Sequence, residues 1–312
     1  MKRKLQEVKL LDFSTKLEYN PYLTNSLEQK VRAMQLTHKD VLDILPDRRA
    51  ESHKGDYGKI LLLCGSVGFT GAAALAAMGA LRSGAGLVYL GVPESIYAIE
   101  AVKLTEAVVF PLPEEDGKLS AKAIPAIRKY LQTVDAVLIG CGFGISTGTM
   151  ALLDTVLREF KGPVVVDADG ITMLASCPEL VKERNCPTVL TPHEGEFRRL
   201  NIATEEERLT GAMIAAKELD CIILRKGHET IITDGEAYYI NPTGNPGMAV
   251  GGSGDVLAGI LVSLLGQGVA PVQAAACAAW LHGAAGDCCA EKLGQYGMLP
   301  TDMLQELPHL LK

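Results

Sequence analysis

Five consecutive residues, Gly251, Gly252, Ser253, Gly254 and Asp255, set a carboxylate at the end of a run that presents almost no side chain. Upstream, Asn241 to Met248 is dense in Asn-Pro, Thr-Gly and Asn-Pro-Gly turn signals. Downstream, Val256, Leu257, Ile260, Leu261, Leu264 and Leu265 recur at three- and four-residue spacing, so a helix must begin near Ser253. A helix start offers unpaired N–H groups and about half a positive charge, and small residues let an anion approach that backbone. Gly251, Gly252, Ser253 and Gly254 therefore read as an anion hole. An acidic residue in a first helical turn also favours the helix dipole without any function. Beside a stripped cradle, however, Asp255 stands where a base for a hydroxyl would have to stand.

Four further loops follow predicted strands. Gly65 to Gly71 lacks the Lys-Ser/Thr ending of a phosphate-binding P-loop. Gly140, Gly142 and Gly144 have the spacing G-x-G-x-G, which serves a tight turn as readily as a dinucleotide. Thr191 to Phe197 reads TPHEGEF, without the second histidine of a zinc helix, so His193 either caps a helix or hydrogen-bonds a substrate. Lys226 to Thr230 reads KGHET, suited to an anionic nucleotide or to a hairpin with a solvated lysine. Asp167 and Asp169 either hold a hydrated magnesium near phosphates or act as caps.

These loops need strands and helices to carry them. Ile60 to Cys64 is a continuous apolar run, the mark of a strand covered on both faces. Strands are predicted at Gly58–Gly65, Leu87–Val92, Ala107–Phe110, Ala136–Gly140, Pro163–Val166 and Thr188–Leu190. They alternate with helices at Ala72–Ser83, Ser120–Leu131 and Thr147–Phe160, with a short helix after Asp169 and more to about Glu218. Such alternation predicts an α/β fold, a mostly parallel sheet with helices on both faces and ligands at the carboxyl ends of its strands. Cys221–Arg225, Thr230–Thr233 and Ala237–Ile240 follow one another across tight turns, as an antiparallel edge. Thr37 to Leu45 predicts a capped helix, residues 1–36 an N-terminal extension, and 37–312 a single domain.

Composition narrows the function classes. With 312 residues, 48% hydrophobic and 32 glycines, the core is built from small and aliphatic side chains. A net charge of −7 without a long run of like charge gives nucleic acid nothing to rest on. The acidic run Glu205 to Glu207 reads as the first turn of a solvated helix. Eight cysteines without a CxxC fit a reducing cytoplasm better than a disulfide framework. The basic start is interrupted before any apolar stretch, and the helix after Val256 is shorter than the roughly 20 residues of a membrane span, so no membrane partner is expected.

TGNPGMAVGGSGDVLAG, together with SHKGDYGKILLLCGS, DADG, LTPHEGEF and KGHET, resembles the NAD(P)H-hydrate dehydratases, a branch of the ribokinase-like superfamily. The resemblance covers about residues 37 to 308. It implies a ribokinase-like three-layer sandwich and a cytoplasmic repair enzyme that dehydrates the S epimer of NADHX and NADPHX. ADP or ATP is the implied co-substrate, ADP being favoured, with Mg2+ on the phosphates. Carried over, Asp255 is the base at the ring hydroxyl. Ala72, Gly142, Gly144 and His193 line the hydrated-cofactor site. Lys226, Gly227, His228, Glu229, Thr230 and Gly254 contact the nucleotide. The resemblance also implies a tetrameric homo-oligomer and an NAD(P)HX epimerase as functional partner; this chain is too short to hold that second domain as relatives do. Ser253 replaces a usual threonine, and Cys141 replaces a usual proline between Gly140 and Gly142. The rival enzyme is a ribokinase-like kinase of a small alcohol or vitamin precursor. Behind it stand a nucleotide-sensing module without turnover and, weakest for want of a complete fingerprint, a dinucleotide redox enzyme.

Overall fold

The computed structural model describes residues 33–312. Its strands are β1 (Ala33–Met34), β2 (Lys59–Leu63), β3 (Leu87–Pro93), β4 (Val108–Leu112), β5 (Glu114–Glu115), β6 (Lys118–Leu119), β7 (Ala136–Ile139), β8 (Val164–Val166), β9 (Thr188–Leu190), β10 (Ile222–Arg225), β11 (Ile231–Thr233) and β12 (Tyr238–Ile240). The helices are α1 (His38–Ile44), α2 (Thr70–Arg82), α3 (Glu94–Lys103), α4 (Ile124–Leu131), α5 (Thr147–Glu159), α6 (Asp169–Leu174), α7 (Glu179–Lys182), α8 (Glu194–Arg199), α9 (Arg208–Leu219), α10 (Ser253–Gly266), α11 (Pro271–Leu293) and α12 (Pro300–Leu310).

Ten strands form one sheet in the order β1-β12-β11-β10-β9-β8-β7-β2-β3-β4, while β5 and β6 make a separate hairpin. Within the ten-stranded sheet, pairing is antiparallel only where β11 joins β10 and β12. Because successive side chains in a strand point to opposite faces, β2 feeds two cores: Ile60, Leu62 and Cys64 enter one with α2, α10 and α11, and Leu61 and Leu63 enter the other with α5 and α9. The result is the expected three-layer α/β arrangement. From β2 the chain winds outward to β3 and β4, then returns to β7 and proceeds the other way to β10. The reversal lies between β2 and β7, where an open sheet leaves a crevice at its carboxyl ends.

Glycine lets α10 lie against α2. A Cβ on Gly259 would stand 2.2 Å from the Ala76 carbonyl oxygen, and one on Gly79 would stand 2.7 Å from that of Val256. Neither site has room for alanine.

Several details depart from the sequence reading. Ala33–Met34 pairs in parallel with β12, so part of the segment read as an extension belongs to the sheet edge; residues 1–32 lie outside the described ones. Glu205 and Glu206 precede α9, and Glu207 occupies its N-cap position, so the acidic run is a turn rather than a first helical turn. Helix α3 and the β5–β6 hairpin were not anticipated; α3 buries only Ile96 and Glu100, too few positions for a periodic signal. Thr37 and Asp40 form the expected capping box of α1.

Candidate active site

Helix α10 begins where the glycine run predicts. Its N-cap, Gly252, has φ +96°, and a Cβ there would meet Leu75 Cδ1 at 2.5 Å, so only glycine fits. Gly251 is exposed and has nothing within 4 Å of a Cβ. Ser253 is buried, and its hydroxyl lies 3.2 Å from His282 Nε2 of α11. Burial pushes that imidazole down to about 4, so it stays neutral beside the cradle. The turn ahead of the cradle is braced by α11: Asp287 accepts from Gly244 N at 2.9 Å and Asn245 Nδ2 at 3.0 Å. Helix α11 therefore supports the cradle as well as filling the core.

Beside the cradle lies a chain of charges. Lys226 Nζ is 2.9 Å from Asp167 Oδ1 and 3.8 Å from Glu196 Oε2. A Cβ on Gly254 would stand 3.3 Å from that ammonium, which places Lys226 over the first turn of α10. Thr191 Oγ1 donates to Asp167 Oδ1 at 2.6 Å, and the Cys141 thiol to Asp167 Oδ2 at 3.4 Å. Ligand-capable atoms of Cys141, Asp167 and Asp255 all lie within 4.8 Å of one another.

This company perturbs Asp255. Burial, then the negative charge of Asp167, raises its carboxyl to about 7, against the opposing Cys141 hydrogen bond and Lys226 charge. A carboxyl poised there can take a proton from a hydroxyl near neutral pH. Burial alone would lower Lys226, but Asp167 and Glu196 outweigh it, so its ammonium keeps its proton. The solvated-lysine reading of this position is thereby corrected.

The TPHEGEF segment builds much of this scaffold. His193 caps α8, its Nδ1 accepting from Gly195 N at 2.9 Å and Glu196 N at 3.2 Å. Glu196 closes the capping box on His193 N at 2.8 Å and turns toward Lys226. Glu194 pairs with the buried Arg225 at 2.9 Å, whose guanidinium lies 3.7 Å over the Phe197 ring. His193 itself is exposed, with Nε2 3.3 Å from Glu196 Oε1, on the side of the site that carries Lys226. Sequence reasoning assigned no role to Glu196, Thr191 or Cys141. The signal available was their place within, or one residue after, a strand-end motif.

The remaining predicted residues fall into two groups. The loop Lys226–Thr230 is held from α9: Arg208 donates to the carbonyls of His228 at 2.8 Å and Lys226 at 3.3 Å. Gly227 and Glu229 there take positive φ, 148° and 53°, while Thr230 Oγ1 closes the turn on the Gly227 carbonyl at 3.0 Å. Across the crevice, a Cβ on Gly142 would stand 2.8 Å from Ala72 Cβ, so those two adjoin. Gly144 N donates to Asp169 Oδ2 at 2.8 Å, so Asp169 ties the turn after β7 to the start of α6 rather than capping a helix.

A resident magnesium does not fit the donors. Asp167 is already engaged by Lys226 and Thr191, Asp169 by Gly144, and the Cys141 thiol is a poor partner for a hard ion. Among the described residues no helix is long and apolar enough to cross a membrane, and all eight cysteines are free.

The geometry has known counterparts. The sequence profile of the family described as NAD(P)H-hydrate dehydratase matches residues 60–309. A bifunctional NAD(P)H-hydrate repair enzyme Nnr from Moorella thermoacetica is 46% identical over 275 residues, covering 86% of this chain and 52% of that protein. The chain thus spans about half the length of the curated relatives it matches. The crystal structure of an ADP/ATP-dependent NAD(P)H-hydrate dehydratase from Bacillus subtilis, co-crystallised with ATP/Mg2+, is similar with a TM-score of 0.76 and 31% identity, over 90% of this chain and 98% of that one. A ribokinase-like superfamily protein from Enterococcus faecalis gives a TM-score of 0.79 at 27% identity, over 89% and 94% of the two chains. The profile match, the level of identity and the shared fold together establish that the chain belongs to the NAD(P)H-hydrate dehydratase family.

Proposed function

We propose that this protein restores NADH and NADPH from the S epimers of NADHX and NADPHX, consuming ADP, the favoured donor, or ATP. The observation that carries the proposal is the half-buried Asp255, raised to about 7, at the mouth of the α10 cradle with the Lys226 ammonium at Gly254. Hydroxide is a poor leaving group, and a phosphate ester is a good one. Asp255 removes the proton of the ring hydroxyl as its oxygen bonds the terminal phosphorus of the nucleotide and the old phosphorus–oxygen bond breaks. The N–H groups at Gly251 to Gly254 and the Lys226 ammonium receive the moving negative charge. The ring nitrogen then expels phosphate, and loss of a ring proton restores the double bond. Magnesium arrives with the nucleotide, bound to its phosphates.

In this assignment Ala72, Gly142, Gly144 and His193 meet the hydrated cofactor, and the loop Lys226–Thr230 with Gly254 meets the nucleotide. An NAD(P)HX epimerase supplies the S epimer, and the working form is a homotetramer. The test is recovery of reduced-nicotinamide absorbance from hydrated NADH with magnesium, run with ADP, with ATP and with neither. Recovery should require a nucleotide and fall at least about a thousandfold in Asp255→Asn. Build-up of a stable phosphorylated small alcohol, with no recovery of absorbance, would instead select the kinase reading.

A further inference from the structure

Three apolar side chains stand exposed at the carboxyl ends of β2 and β7, the two strands on either side of the reversal. Val67 and Phe69, after β2, are 58% and 61% exposed, and Ile145, after β7, is 53% exposed. The turns that carry them are firmly held. Gly65 N donates to the Cys141 carbonyl at 2.9 Å, Val67 N to that of Gly117 at 2.9 Å, and Phe69 N to that of Ser66 at 2.9 Å. Ser66 Oγ donates to the Gly142 carbonyl at 2.8 Å and locks the β2 turn to the β7 turn. Apolar side chains exposed together on turns that are tied to one another, unlike ones scattered singly, mark a contact surface.

Its position says to what. A Cβ on Gly142 would stand 2.9 Å from Phe69 Cβ, so the root of the ring lies on the Gly142 backbone beside Ala72. Cys141, the residue before Gly142, has its sulfur within 4.8 Å of the Asp255 carboxylate. Phe69 thus flanks the base on one side. Lys226 flanks it on the other, leaving the sheet at the end of β10 and reaching back with its ammonium to Asp167 at the end of β8. Phosphates gathered at the Lys226 ammonium lie on the Asp167 side of the base, and Phe69 stands on its Gly142 side. The ring faces the other substrate.

Resting on the dehydratase activity proposed for the site, we infer that Phe69 is the platform against which the hydrated pyridine ring of the acceptor dinucleotide packs, with Val67 and Ile145 as its apolar flanks. A partly saturated ring has no charge to pair and little to hydrogen-bond on its faces, so an aromatic side chain is the partner its surface can use. The Lys118 stem extends this floor, lying against Gly144 so closely that a Cβ there would stand 2.8 Å from Lys118 Cδ.

Steady-state kinetics of Phe69→Ala and Phe69→Tyr test the assignment. Phe69→Ala should raise KM for hydrated NADH about tenfold with kcat and the nucleotide KM within twofold, and Phe69→Tyr should restore it. An unchanged KM for hydrated NADH, an equal loss in the nucleotide KM, or a change of oligomeric state with KM unaltered would overturn it. Phe69→Trp gives a readout independent of turnover, with the wild type, whose one tryptophan is Trp280, as baseline. Titration with NADH should quench the new fluorescence and titration with ADP alone should not; quenching by ADP alone, or by neither, also overturns the inference. If the wild type restores no absorbance while NADH still quenches Phe69→Trp, the dehydratase reading fails and the dinucleotide platform stands.

Discussion

The two glycine clusters at the sheet's carboxyl edge look alike in sequence and are glycine-rich for opposite reasons. In Gly140–Gly144 each glycine is crowded: a Cβ would meet the Asp167 carbonyl oxygen at 1.9 Å from Gly140, Ala72 Cβ at 2.8 Å from Gly142 and Lys118 Cδ at 2.8 Å from Gly144. All three take positive φ. In Gly251–Gly254, Gly252 is crowded in the same way, but Gly251 faces open space and Gly254 meets only the ammonium of Lys226. Glycine in the first cluster makes room for the protein's own atoms, a backbone carbonyl at Gly140 and side chains at Gly142 and Gly144. At Gly251 and Gly254 it keeps room free beside a helix start and a base. A count of glycines cannot separate these uses, and the neighbour that a Cβ would meet does.

Substitution by alanine breaks the comparison open. Gly140→Ala puts a methyl into a backbone carbonyl at φ +127°, and should cost at least about 3 kcal/mol, lowering the thermal midpoint by roughly 10 °C in a calorimetric scan. Gly254→Ala should fold normally, with its midpoint within about 2 °C of wild type, yet lose on the order of a hundredfold in kcat/KM because the methyl occupies the anion's place. Gly251→Ala leaves the N–H groups accessible and should change kcat/KM less than about threefold; an effect as large as that of Gly254→Ala would show that the open space at Gly251 is itself filled by substrate.

The pH profile sharpens the same contrast. Asp255 acts when ionised, and its carboxyl sits near 7, so kcat/KM should rise through an acid limb at about pH 7. Asp167→Asn removes the like charge behind part of that elevation and should move the limb to lower pH. A limb unmoved by Asp167→Asn would mean that Asp255 does not govern the profile. The linkage to stability has the same origin. A carboxyl raised in the folded state favours folding at low pH, and that contribution disappears as pH rises through about 7. Asp255→Asn, inactive, should therefore gain thermal stability over wild type at pH 8, and the gain should shrink toward pH 5.

Much of the scaffold was legible. The apolar run of β2 announced a strand buried on both faces, the spacing from Val256 to Leu265 announced α10, and Asp234-Gly235 announced the turn between the antiparallel β11 and β12. Where periodicity was thin the reading thinned with it: α3 exposes most of its residues, and β5 and β6 are two residues each. At the site, Asp255 and its glycine approach were legible because their chemistry depends on residues adjacent in the chain.

What the sequence determined by itself is therefore local: the strand and helix periods, the cap that starts α10, and a carboxylate next to bare backbone. Tertiary structure decided which charges that carboxylate feels. Lys226, Asp167 and Cys141 come from the ends of three different strands and Glu196 from the helix after a fourth, and no spacing along the chain joins them. Their proximity follows from parallel strands delivering their carboxyl ends to one edge, where strand neighbours stand about 5 Å apart however distant they are in sequence. Burial at that edge then makes charges so placed perturb one another, and so raises Asp255 to the pH at which it can serve as a base.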